Sequence, residues 1–139
     1  MGMDVYGVAP AGEDGKYFRA SIWMWRPIWE RLRLHCSDLL GEELLSSMAF
    51  NDGAGPQDQE TCSKIAERLE EWLSEDPREK FSLEEEPTTL RINTEGKLVS
   101  LADLAANPKL ETRSPYFVSR EDFREFIAFL RSCGGFCVW

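Results

Sequence analysis

Histidine occurs once in this chain, at position 35, and cysteine four times, at 36, 62, 133 and 137, with no C-x-x-C among them. Zinc sites draw on closely paired Cys and His ligands, and the C-x-x-x-C of Cys133 and Cys137 runs across a Gly-Gly bend, so no metal site is expected. Neither a Walker loop nor G-x-G-x-x-G is present, and the Asn51-Asp52-Gly53 region lacks the alternating oxygen ligands and closing Glu of an EF-hand. No cofactor is expected. Apolar runs fall short of the ~18 to 20 residues of a membrane span, and the chain does not open on a basic segment followed by an apolar stretch. Met1-Gly2 is followed by Tyr6 where the myristoylation pattern requires Ser or Thr. A cytoplasmic location, with no membrane and with reduced thiols, is therefore the expectation. Basic residues are also few, 16 against 25 acids for a net charge of −9, which speaks against nonspecific nucleic-acid binding.

Apolar material is plentiful. Of the 139 residues, 42% are hydrophobic, and five are tryptophans, enough for one core in a single domain over 1–139. Gly2, Gly7, Pro10, Gly12 and Gly15 frame a short strand around Val5-Tyr6 and a loop. From Tyr17 to Trp25, Phe18, Ala20, Ile22 and Met24 alternate with Tyr17, Arg19, Ser21, Trp23 and Trp25, the period of an extended segment. Pro27 suits the first turn of a helix, and Ile28, Leu32, His35 and Leu39 give helical spacing over 27–38, with Arg26 extended just before the proline.

A short helix is expected over 42–50, ending at Asn51-Asp52-Gly53. Pro56 is placed at the first position of a third helix, whose core face is Cys62, Ile65, Leu69, Trp72 and Leu73, with Glu60 and Lys64 paired and Asp76-Pro77 as the stop. Residues 78–87, including Glu84, Glu85 and Glu86, read as a solvated connection. Thr88 to Ile92 and Lys97 to Leu101 read as a hairpin, followed by a short helix over 102–106. Ser119 and Asp122 have capping-box spacing ahead of a Phe123, Phe126, Ile127, Leu130 stripe, and Gly134-Gly135 stops that helix before a final Phe-Cys-Val-Trp strand. The fold class is α+β: a small, mostly antiparallel sheet from the N-terminal segment, the 88–101 hairpin and the last strand, packed on three or four helices.

The opening M-G-M-D-V-Y-G, the Y-F-R before W-M-W-R-P-I-W, the N-D-G-A-G turn and the closing F-L-R-S-C-G-G-F resemble a family of short bacterial and phage-type proteins with no assigned activity. The resemblance spans most of the chain, apart from about 78–115. It implies a prokaryotic or phage setting and assigns no residue roles.

The densest candidate for chemistry is Trp23, Trp25, Arg26 and Trp29, where indoles and a guanidinium would form an aromatic wall with a charge to orient a ligand. The plainer reading is core packing, with Arg26 pairing with an acid such as Asp4 or Asp52. Asp52, in a turn ahead of a helix, would serve as a base or stand beside an anion site, or simply belong to the turn. Arg26, Arg31 and Arg33 make a possible local basic patch. Two functions stand side by side: a small non-enzymatic binding or interaction protein acting on a protein or small-molecule partner, and a small enzyme with Trp23, Arg26, His35 and Asp52 gathered in one cleft.

Overall fold

The computed structural model describes residues 2–83, 91–112 and 114–139, and they form an α+β fold with small antiparallel sheets. β1 (Gly2–Gly7) pairs with β2 (Tyr17–Ser21) on one side and with β7 (Phe136–Val138) on the other, both antiparallel, giving the order β2-β1-β7. Alternation sets the two faces. Met3, Val5, Phe18, Ala20, Phe136 and Val138 are buried, while Tyr6, Tyr17 and Arg19 point to solvent.

The buried face rests on α5 (Arg120–Ser132), through Phe18 against Phe126 and Phe129, and Phe136 against the same two rings. The Ser119 hydroxyl accepts from the Asp122 N–H and the Asp122 carboxylate accepts from the Ser119 N–H, so the capping box expected from spacing is present. Gly134 and Gly135, at φ 68° and 97°, turn the chain from α5 into β7. α3 (Gln59–Glu75) packs on α5 and on α1 (Ile22–Leu40), burying Cys62, Ile65, Ala66, Leu69 and Leu73, and α2 (Glu42–Met48) lies against α1.

Four local expectations are corrected. α1 starts at Ile22, five residues before Pro27, because the Ser21 hydroxyl accepts from the Met24 N–H and caps the helix there. Arg26 is accordingly helical, not extended, and Pro27 sits inside the helix, where its ring leaves the Trp23 carbonyl without its usual donor. α3 starts at Gln59, with Asp58 as the cap and Pro56 ahead of the helix. Within 78–87, Lys80–Ser82 form β3 and pair with β6 (Phe117–Ser119); Glu84, Glu85 and Glu86 lie outside the described residues.

The 88–101 hairpin is also shorter than expected. β4 (Arg91–Ile92) and β5 (Leu98–Val99) pair with each other alone, separate from the main sheet, while Thr88 lies outside the described residues. α4 (Leu101–Ala106) follows, with a Ser100 and Asp103 capping box.

Candidate functional site

Capping at Ser21 decides where the tryptophans go. On a helix that begins at Ile22, successive side chains turn by about 100°, so Trp25 and Trp29, four residues apart, share the face toward α2 while Trp23 points to the other side. Trp25 is fully buried: its indole N–H donates to the Met48 carbonyl at 2.9 Å and its ring meets Phe126 edge-on. Trp29 is half-buried, its N–H donating to the Leu45 carbonyl at 2.6 Å, and the Arg26 and Arg33 guanidiniums lie 5.6 and 5.8 Å from its ring centre. Trp23 keeps 39% of its surface exposed and packs on Tyr116 with ring centres 4.9 Å apart.

Trp23 stands on the wall of a groove of about 420 Å³ between the start of α1, the β4-β5 hairpin and β6. Met24, Ile92, Leu98 and Phe117 supply the rest of its apolar lining, and Asp122 supplies a carboxylate. Oδ2 of Asp122 is held by the capping box, and Oδ1 has no hydrogen-bond partner among the described residues. The groove is thus an apolar slot with one acidic acceptor at its edge. A second hollow of about 340 Å³ beside Trp29 and Arg33 is lined mainly by polar groups, including Ser37, Glu42 and Ser46.

The remaining candidates stand apart from Trp23. His35 follows Arg26 by nine residues on α1, which is about 180° around a helix, so the two face opposite ways. The His35 ring stacks on Trp72 at 5.5 Å, with Arg31 4.5 Å over the same indole. Burial, and then the Arg31 charge, hold its pKa below the ordinary 6.5. Arg26 stacks on Trp29 and makes no ion pair with Asp4 or Asp52; Asp4 accepts instead from the Tyr17 hydroxyl. The three arginines of the expected basic patch split between two indoles, Arg26 and Arg33 on Trp29 and Arg31 on Trp72.

Asp52 is exposed in a turn with a structural task. The Gly53 N–H donates to the Val138 carbonyl at 2.7 Å, and a Cβ on Gly55 would lie 2.0 Å from the Phe136 carbonyl oxygen, so the turn seats β7. The following helix offers no open anion cradle, because the Asp58 carboxylate already accepts from the Thr61 N–H and hydroxyl. Cys36, Cys62 and Cys133 are buried thiols, Cys137 is half-buried, and no metal-ligating group of three or more His, Cys, Asp or Glu occurs among the described residues.

Sequence reading reached Trp23 but not the groove it borders. Ile92 and Leu98 of the hairpin and Phe117 of β6 lie far from Trp23 in the chain, and the available signal was the Tyr116-Phe117-Val118 run ahead of the Ser119 cap. Comparison with family models, with curated proteins and with solved structures finds no match. The prokaryotic or phage setting rests on the sequence motifs alone.

Proposed function

We propose that this is a small non-enzymatic binding protein that takes an apolar side chain, flanked by a positive charge, into the groove beside Trp23. The exposed indole on an apolar slot carries this reading: a large aromatic left partly in water at a concave surface is the usual anchor of a binding site. The Oδ1 of Asp122, which has no hydrogen-bond partner among the described residues, and the net charge of −9 favour a cationic neighbour on the ligand. The partner is then a short basic-apolar segment of a protein, or a small amphipathic cation, met in the cytoplasm of a bacterium or of a phage-infected cell. Free thiols at all four cysteines fit that compartment.

The enzyme alternative needs Trp23, Arg26, His35 and Asp52 in one cleft. Arg26 and His35 lie on opposite sides of α1, and Asp52 belongs to the turn that seats β7, so that set has no common cleft to work in. Fluorine NMR on protein carrying 5-fluorotryptophan tests the binding reading with a library of basic-apolar peptides. The five tryptophans give five resonances, and that of Trp23 is expected to shift on binding. Shifts confined to the other four, or lack of any shift across the library, would sink the groove.

A further inference from the structure

The outer face of the β2-β1-β7 sheet carries a second surface, separate from the groove. Register places Tyr17, Tyr6 and Cys137 in one row across the three strands. Arg19, Asp4 and Trp139 form the next, since Asp4 pairs with Arg19 and exchanges two 2.7 Å backbone hydrogen bonds with Trp139. Among the described residues no helix covers this side, for α5 packs on the opposite face against Phe18 and Phe136. Tyr6, Tyr17 and Trp139 are 47%, 44% and 54% exposed. Strand spacing makes the tile roughly 10 Å across the strands and 7 Å along them.

The rings are held in place from below and beside. Tyr17 donates its hydroxyl to the Asp4 carboxylate and meets Tyr6 at 5.1 Å between ring centres. Trp139 rests against Gly53, where a Cβ would lie 2.6 Å from the indole. The Arg19 guanidinium crosses over Gly2, where a Cβ would stand 3.3 Å from Nη2. Arg19 makes no hydrogen bond or ion pair with any described residue, so its planar fork of donors is open to a ligand. The Tyr6 and Tyr17 rings, the Arg19 guanidinium and the Asp4 carboxylate thus share one exposed face of the sheet, with the Trp139 indole at its β7 end beside Gly53.

We propose that this face binds a neutral glycan, stacking the C–H faces of pyranose rings on Tyr6, Tyr17 and Trp139 while Arg19 and Asp4 hydrogen-bond to hydroxyl groups. Charge selects this occupant. Aromatic sheet faces that stack nucleobases work with a positive groove for the phosphates, whereas here one Arg is offset by one Asp on a chain of net charge −9. A neutral ring polymer meets no such repulsion, and the paired donor and acceptor suit a ligand whose hydroxyls both give and take hydrogen bonds. The site shares no aromatic residue with the Trp23 groove, so either can fail without the other.

Native affinity electrophoresis of the full chain through gels containing mixed-linkage β-glucan, xylan, galactomannan or amylose tests this. Retardation is expected in at least one gel, weakened about tenfold in apparent affinity by Tyr6→Ala and by Trp139→Ala and unchanged by Trp23→Ala. Tyr6→Ala alone decides if Trp139→Ala lowers the melting temperature through its contact with Gly53. Free migration in all four gels overturns the proposal, as does retardation that Tyr6→Ala leaves intact. Retention on single-stranded oligo(dT) that Tyr6→Ala abolishes would assign the tile to nucleobases instead, and a dimer in sedimentation that Tyr6→Ala dissociates would assign it to a second copy; either result also overturns the glycan.

Discussion

The ring of Trp139 fills the space a side chain on Gly53 would need: a Cβ there would stand 2.6 Å from indole carbons, on a residue whose φ is already 91°. Two separate constraints therefore demand glycine at one position. They explain the Asn51-Asp52-Gly53 turn as a clamp on the last strand, with the Gly53 N–H donating to Val138 beside the ring contact.

Gly53→Ala should accordingly cost about 2 kcal/mol or more, combining an unfavourable positive φ with a displaced indole. Trp139→Ala in the same chain should recover only the steric part. A urea titration of the two single variants and the double variant measures the coupling, and strict additivity would mean that ring and turn do not touch.

Phe136 tests whether β7 is structural. It is fully buried between Phe126 and Phe129, and its backbone N–H donates to Pro56. Phe136→Ala should cost about 3 to 5 kcal/mol, the usual range for emptying a packed aromatic site, which is a large share of a domain's stability. An unchanged melting temperature would remove β7 from the core.

Protonation of His35 should weaken the fold. Its ring stacks on Trp72, its Nε2 is buried without a hydrogen-bond partner among the described residues, Arg31 faces the same indole, and Arg68 donates to its carbonyl. With the folded pKa held below 6.5, the unfolded chain binds the proton more readily. Stability is then full above about pH 7 and falls as pH drops from 6.5 through the lowered value. Asp38, Asp58 and Asp76 act later: all are held below the usual 3.8, Asp76 at about 2 mainly by its hydrogen bonds from Arg78, so their contribution is lost only in stronger acid. Denaturant midpoints between pH 7 and 5 should decline in the parent and stay flatter in His35→Phe; parallel curves would contradict the assignment.

Thiol reactivity should separate one cysteine from three. Cys36, Cys62 and Cys133 are wholly buried; burial pushes the Cys36 thiol up to about 11, and the hydrogen bond with Cys133, then burial, raises that of Cys62. Cys137 is half-buried at the sheet's outer face. Brief labelling with iodoacetamide at neutral pH, read by mass spectrometry, should modify Cys137 first and the others only on unfolding. Equal labelling of all four would show that the core opens.

What was legible in the sequence follows from which signals are local. The α5 cap, the Gly134-Gly135 stop and the α3 stripe are each written within a few residues, and all three are present. The start of α1 was misread because alternation from Tyr17 to Trp25 mimics a strand, while Ser21 ends the real strand and caps a helix that carries Pro27 inside it. A strand over Trp23–Trp25 would put both indoles on one face; the helix buries Trp25 and exposes Trp23. β3, with three residues and one buried phenylalanine, is too short to show a period at all. The groove depends on β6 and the small hairpin meeting the start of α1, and no spacing within one segment encodes that meeting.

The two neighbouring indoles allow the sharpest test of the groove, because they are alike in chemistry and opposite in setting. Trp25 is fully buried with its N–H satisfied by Met48, so Trp25→Ala should cost about 3 to 5 kcal/mol through the cavity and the orphaned carbonyl. Trp23 lies against Tyr116 at the groove wall with 39% of its surface in water, and its replacement by Ala should cost about 1 kcal/mol or less. Binding should rank the other way. Trp23→Ala, still folded, should lose the fluorine-detected peptide response, and so should Leu98→Glu, which places a charge in the slot from the exposed hairpin. Arg26→Lys should keep both stability and binding, since its guanidinium stacks on Trp29, away from the groove lining. A Trp23→Ala protein as unstable as Trp25→Ala would make Trp23 a core residue and close the groove as a site; loss of peptide binding in Arg26→Lys with Trp23→Ala unaffected would move the site to the hollow beside Trp29.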